Sequence, residues 1–581
     1  MKVLLAERNY VYSARHTPLR THQPIGRAYI RTLGSFSLLV VGLTSASAAG
    51  DIAKYPRIRG HGSSLHYGTT HVDPSEARAT CLSRPAAPVR SPPTTIDPAL
   101  DCPDTDTLAI TRRLPETFQS GDDEVEPHVL VVRAESRERR RARPGEEEGA
   151  EADLEPSAEP GLEFEGEFEF KVDWLENIAL GQRSRDDLRE SEQEVQLGLS
   201  YRREQFLAFG EIKFVADQVV FSDETPRISE EAIERGETWL LFRRISDSGY
   251  SVQIGRQNFI EPRLWWWDED LDAVRLYYAR EPWRLYVGLA EEVARVSTNE
   301  DFIDPEQEDV RRLLGHVNWA SSEKFNLGGF FLHQRDNSDV PPIDSVVETV
   351  RIDESDADLT WAGLRATGRL GLSRAGTLIY RADAAVVSGD EILVEFEDDV
   401  PGLSRATGIQ KQDVRGWAVD VGVGWTLPLP REPILKLTYD YGSGDKDLND
   451  DTDRTFRQTG LQDKDEEFRD YGVVLRPELS NLRIATVALA LPIHTGTRLT
   501  LGYHRFRQVD PAPFLRGSAL DIEPTGESKD IGDEISLVVE LRKWEDLEMD
   551  IIAGSVKAGR AYGAAAGQRS NRLFFKVIYE F

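Results

Sequence analysis

The sequence predicts an all-β protein: a transmembrane, antiparallel up-and-down β-barrel of about eighteen strands, preceded by a disordered N-terminal arm. Three observations predict it. Runs of strict two-residue alternation recur from residue 161 to the end, the mark of strands with one apolar face. The links between these runs are short and long by turns, as in barrels with tight turns on one side of a membrane and longer loops on the other. Trp and Tyr stand at the ends of the apolar faces, where a membrane interface favours them.

Composition narrows the alternatives. The chain has 581 residues, 40% hydrophobic and 29% charged, with a formal net charge of -31. Its acidity argues against a nucleic-acid partner. After the N-terminus no apolar run reaches the roughly 18 residues that a spanning helix needs, so a helical bundle is excluded. A membrane barrel is compatible with this polar average, because its signal per segment is weak.

The N-terminal region divides in two. A basic stretch up to Arg31 leads into the apolar "LGSFSLLVVGL" at Leu33–Leu43, and Ala46-Ser47-Ala48 fits a small-residue cleavage site. Residues 1–48 therefore read as a signal peptide for export. Residues 49–160 are rich in Pro, Ser, Arg and Glu and hold few large apolar residues. Such a segment cannot bury enough apolar area to offset chain entropy, so it is expected to be a disordered periplasmic arm. Its "RRRAR" is followed directly by "EEEGAEADLE", which balances the charge. Cys81 and Cys102 are the only cysteines; they close one loop in an oxidising compartment or stay as two thiols. No CxxC-type spacing suggests a metal site.

The barrel is assigned to residues 161–581. Its first strand is "LEFEGEFEFKVDW", with Phe164, Phe168 and Phe170 on one face and Glu163, Glu165, Glu167, Glu169 and Lys171 on the other. "EVQLGLSYR", "LLGHVNW", "GWAVDVGVGWTL" and "EISLVVELR" repeat the pattern. The closing "NRLFFKVIYEF" puts Leu573, Phe575, Val577, Tyr579 and Phe581 outward, an aromatic end at a membrane boundary. Short turns are expected at Ser246–Gly249, Arg280–Pro282, Ala320–Lys324 and Trp544–Asp546. Long links are expected at Asp217–Gly236, Glu292–Asp309, Gln334–Asp356, Ser388–Asp413 and Gln508–Gly532. Counting every alternating run gives an odd number, whereas bacterial single-chain barrels are even. Strand direction, counted back from Phe581, makes "DYGVVLRP" at Asp470–Pro477 the surplus run and assigns it to a long loop or a strand extension.

A barrel of this size can hold an aqueous channel, so inward charge carries the functional question. Parity points Arg275 and Tyr277 inward, with Arg202, Arg284, Arg312, Arg381, Arg498 and Arg572. In "YHRFRQ", parity favours His504 and Phe506 inward unless a bulge intervenes, leaving Arg505 and Arg507 undecided. Arg keeps its charge at any pH and grips carboxylates in a planar fork. A ring of Arg is therefore the filter expected for an anionic solute. The competing reading is that these Arg pair with inward Asp420, Asp440 and Glu540 and only cross-brace the lumen. The expected loop "GRQNFIEPRLWWWDEDLDAVR" at Gly255–Arg275 sets Arg256, Arg263 and three tryptophans beside acids. It reads either as an aromatic girdle with a solvated rim or as a site where indoles stack on sugar rings and Arg holds their carboxylates. The stretch from Tyr441 to Leu482 is too long for a mere connector; it folds into the lumen as a constriction or lies over the mouth as a lid.

These segments, "GRQNF…WWWDEDLDAVR" and "FRQTGLQ…PELSNL" above all, resemble the outer-membrane alginate export porins, over about residue 160 to the end. The resemblance implies a monomeric barrel of eighteen strands in the Gram-negative outer membrane, passing a polyuronate through an Arg-lined, electropositive constriction. Arg256, Arg263, Arg275, Arg457, Arg505 and Arg507 are the pore-lining candidates it implies. The arm at 49–160 departs from the compact N-terminus expected of the family. The expected partners are an anionic, alginate-like polysaccharide, outer-membrane lipid and lipopolysaccharide, and periplasmic polysaccharide-synthesis proteins. No cofactor is expected beyond weak divalent-cation binding at the acidic outer loops. No Ser neighbours His316, His333, His494 or His504 in a recognisable motif, and paired carboxylates are too common here to mark a glycosidase, so an enzyme is not expected. The alternatives are a general anion or sugar-acid porin for uptake and a plugged structural or adhesive barrel.

Overall fold

The computed structural model describes residues 161–581 except 183–186, 204, 222–227, 246–247, 262, 338–339 and 463–469. The expected signal peptide, polar arm and cysteine pairing lie outside the described residues.

Twenty strands follow one another: β1 Gly161–Glu176, β2 Leu188–Arg203, β3 Phe206–Phe221, β4 Ile228–Phe242, β5 Tyr250–Ile260, β6 Asp268–Arg280, β7 Trp283–Ala290, β8 Arg311–Ser322, β9 Phe325–Arg335, β10 Val346–Glu348, β11 Ser355–Gly371, β12 Thr377–Val400, β13 Leu403–Thr426, β14 Ile434–Gly442, β15 Thr452–Asp453, β16 Leu482–His494, β17 Thr497–Gln508, β18 Asp530–Leu541, β19 Leu547–Ala558 and β20 Arg569–Glu580. β10 and β15 have 3 and 2 residues and lie outside the wall. The other eighteen each pair antiparallel with the next, and β20 pairs with β1, where Phe168 faces Tyr579 and Trp174 faces Leu573. The sheet is therefore a closed barrel with no free edge along this seam.

The alternation sets which way each side chain points. On β20, Leu573 and Tyr579, with Phe581 just past the strand, are exposed outward while Arg572, Phe574, Lys576 and Ile578 are buried inside. At the short-turn end the outward face carries aromatic clusters: Tyr201, Phe206 and Phe242; Tyr250 with Tyr278; Trp283, Trp319 and Phe325. Trp417 stacks on Tyr441 toward the other end. These are the two interface belts of a membrane barrel. The seam is braced from inside, where Arg572 pairs with Asp173 at 2.7 Å and Lys576 with Glu169 at 3.0 Å.

Asp470–Pro477 forms no strand, as the direction count required. Two of the expected long links are corrected. Most of Asp217–Gly236 is the paired ends of β3 and β4. Ser388–Asp413 is the continuation of β12 and β13, 24 residues each, which turn at Pro401-Gly402. At about 3.4 Å per residue such strands far exceed the roughly 25 Å apolar band. Beyond lipid the outward face has no reason to be apolar, so Asp390, Lys411 and Asp413 appear there and the alternation fades while backbone pairing continues.

Candidate functional site

Two links carry candidate arginines into the barrel. The first is residues 261–267, between β5 and β6. Glu261 organises it: its carboxylate accepts the backbone N–H groups of Arg263 (3.0 Å), Trp265 and Trp266 (3.0 Å) and pairs with Arg365 of β11. Burial works to raise the Glu261 carboxyl, but Arg365 and these donors outweigh it and hold it below the ordinary carboxylate range. Trp265, Trp266 and Trp267 are 2%, 1% and 0% exposed. Neither expected role for them holds: they form no girdle and offer no open stacking face. Trp266 stacks on Phe330 of β9 at 4.9 Å between centroids, in a slot that exists because residue 363 is Gly; a Cβ there would meet the indole at 2.2 Å. The expected loop at Gly255–Arg275 is accordingly two strands with a short inward turn.

The second is residues 443–481, between β14 and β16. Its Phe456, Leu461, Tyr471, Val473, Val474, Leu475 and Leu479 join the three tryptophans, Trp361 and Phe506 in one buried cluster. Polar contacts fix its position. The Glu534 carboxylate of β18 accepts the backbone N–H groups of Val473 (2.5 Å), Val474 (3.1 Å) and Leu475 (3.0 Å), just after Gly472 at φ 96°. Trp265 Nε1 donates to the Tyr471 hydroxyl (2.6 Å), which donates to Asp420 (3.0 Å). Trp361 Nε1 donates to the Arg457 carbonyl at 2.8 Å. Of the two readings of this segment, it lies within the lumen.

Where the two links meet, charge is concentrated. Arg263 contacts Asp383 (2.9 Å), Asp420 and Asp470 (3.0 Å). Arg381 contacts the same Asp470 at 2.8 Å and Asp420 at 3.6 Å. Arg365 adds Asp383 at 2.6 Å. Asp383 of β12, Asp420 of β13 and Asp440 of β14 occupy one register row of the wall. A carboxylate from the long link, Asp470, is thus clasped by two guanidinium groups.

The candidate arginines divide three ways. Arg263 and Arg457 sit in the inward links; Arg457 pairs with Glu391 at 2.5 Å and Asp453 at 2.7 Å. Burial would raise the Asp453 carboxyl, but Arg457 and Arg516 hold it below the usual range. Arg256 and Arg275 point inward from the wall. Arg256 faces Glu292 at 3.5 Å. Arg275, 2% exposed, lies 3.6 Å over the Phe259 ring and donates to the Asn258 carbonyl at 2.5 Å. Arg505 and Arg507 are not brought to the lumen. They share the outward parity of β17 with Tyr503, while His504 and Phe506 are buried inside, because the bulge lies beyond Phe506 rather than before it. Glu261, Arg365, Asp470 and Glu534 were not anticipated. Two had a signal: Arg365 shares parity with the inward-facing Trp361, and Glu534 lies on the face of "EISLVVELR" opposite Ile535 and Leu537.

The rest of the lumen wall is not uniformly basic. On β1 to β4 the buried inward positions include Glu167, Glu169, Glu211 and Glu237, with Lys171 between Glu169 (2.6 Å) and Glu192 (2.9 Å). The inward arginines therefore cross-brace the lumen in this arrangement, and their charge is largely matched by carboxylates.

The model of the family described as alginate export matches residues 185–576. The chain is 27% identical over 364 residues to the alginate production protein AlgE of Pseudomonas aeruginosa, covering 57% of this chain and 71% of that protein. The same-named proteins of Azotobacter vinelandii and Pseudomonas syringae pv. tomato are 24% and 23% identical, covering 56% and 61% of this chain and 73% and 77% of theirs. Among solved structures, Pseudomonas aeruginosa OpdQ aligns at a TM-score of 0.45 and 10% identity, covering 72% of this chain and 98% of that one. The closed eighteen-stranded barrel and the family match over most of its length agree: the chain belongs to the alginate export family and resides in the Gram-negative outer membrane.

Proposed function

We propose that the protein is a channel, not an enzyme, through which an anionic exopolysaccharide, alginate, leaves the cell. The observation that carries this reading is the clasp of Asp470 by Arg263 and Arg381. Two guanidinium groups from different elements hold one carboxylate inside the bore, and a polyuronate offers a carboxylate on every sugar. The link that carries Asp470 contains more acids than bases. Its withdrawal would leave Arg263 and Arg381 facing the path and make the bore more positive. The polymer would then pass by diffusion from one such seat to the next, each contact weak enough to release it. Arg256 of the wall, now paired with Glu292, would serve the same path.

Planar-bilayer recording of the purified protein tests this. Anion-selective current, reduced by polyuronate and unaffected by a neutral polysaccharide of equal size, is the expected result. Anionic current indifferent to polyuronate would indicate a general porin, and no current under any condition a plugged barrel; either would overturn the proposal.

A further inference from the structure

Arg505 and Arg507 lie outside the bore, and they belong to a larger feature. On the outward face at the long-loop end, Arg483 of β16 stands directly opposite Arg507 of β17, and Lys557 of β19 directly opposite Arg569 of β20. All four are exposed. Like charges opposed across two strands repel. Among the described residues none of the four has a carboxylate within ion-pair distance, whereas Arg505 between them holds Asp530 and Asp533, both at 2.6 Å. Asp530 and Asp533 of β18 stand in register opposite Arg507 and Lys557, but Arg505 engages both, so the two like-charged pairs leave an excess of positive charge that suits an anion from outside the protein.

Position identifies that anion. Lower on the same outward faces stand Val487, Leu501, Tyr503, Ile535 and Leu573, all exposed and apolar. They face the lipid chains of a membrane barrel. The four cations are therefore at the boundary of the apolar band, at the end with the long loops, which is the outer side of such barrels. Arg483 also rests against the ring of Tyr441, 5.5 Å from its centroid, an aromatic of the outer belt. We propose that Arg483 with Arg507, and Lys557 with Arg569, are two seats for phosphate groups of an outer-leaflet lipid. Guanidinium forks match phosphate oxygens, and cations at a membrane surface attract anionic headgroups. A lipid is preferred over free phosphate because its chains would cover the apolar rows directly beneath the seats. The inference does not depend on the transported solute.

Native mass spectrometry of the detergent-purified full chain tests it, with three probes: diphosphorylated lipid A, the same lipid without phosphates, and inorganic phosphate. The native chain is expected to retain the phosphorylated lipid and to lose most of its affinity when the phosphates are removed. Removing two cations, as in R483Q/R507Q or K557Q/R569Q, is expected to weaken binding about thirtyfold, and R483K/R507K should retain most of it. Equal binding of the dephosphorylated lipid would overturn the proposal by showing that only chains are recognised. Inorganic phosphate competing as strongly as the lipid would overturn the assignment to a lipid. Glutamine variants that bind like the native chain would overturn the seats themselves. The first two outcomes are read on the native chain, so the test survives a variant that fails to fold.

Discussion

Single carboxylates position the interior of this barrel. Glu534 accepts three consecutive backbone N–H groups, those of Val473, Val474 and Leu475. Glu534→Ala would leave three buried donors unmet, costing the seat of the long link about 3 kcal/mol or more. The expected outcome is protease cleavage within residues 443–481 at a protease level the native chain resists, with the barrel itself intact. Glu261 and Asp453 add a pH dependence. Both carboxyls are held below their ordinary values by Arg365 and by Arg457 with Arg516. Carboxyls lowered on folding stabilise fully above their unfolded pKa of about 4 and lose that contribution as pH falls through the lowered values. Conductance is therefore expected to be flat from pH 8 to pH 5 and to rise only below about pH 4. A rise already complete at pH 6 would contradict these seats.

The strands were legible in the sequence wherever their outer face meets lipid, because only there does water on one side and hydrocarbon on the other enforce alternation. That is why β1, β13 and β20 could be read directly, and why the polar ends of β12 and β13 could not. The inward course of the two links was not legible: "LWWWDED" reads equally as a belt or a loop until Phe330, Gly363 and Phe456 are brought against it from distant segments. Arg263 was found by its setting among tryptophans, but its partners Asp383 and Asp470 lie far off in sequence. Parity correctly favoured His504 inward, which is the same statement as Arg505 and Arg507 outward. At the closing seam, Arg572 and Asp173 join the last strand to the first. Arg572→Met leaves Asp173 largely buried without this partner and is expected to cost about 3–5 kcal/mol. The double change R572M/D173L removes the orphaned carboxylate as well and should cost less than R572M alone. Heat-modifiable mobility on gels reads both.

At the scale of the molecule, the protein is a lipid-belted tube whose bore is filled in part by its own loops. Greasy residues outside and charged residues inside follow from one periodicity. What that interior conducts depends on which charges face the path once the long link moves. On β1 to β4 the wall is acidic, and on β11 to β13 arginines stand among matching carboxylates. The proposed path runs along the arginines, and Arg263 and Arg381 are its centre. The most direct measurement is the reversal potential of single channels under a KCl gradient, for the native chain and for R263E/R381E, each first shown to be folded by heat-modifiable mobility. The native channel is predicted to favour chloride and the variant to shift toward potassium. A native channel that favours potassium, or a variant whose reversal potential matches the native value, would contradict the account.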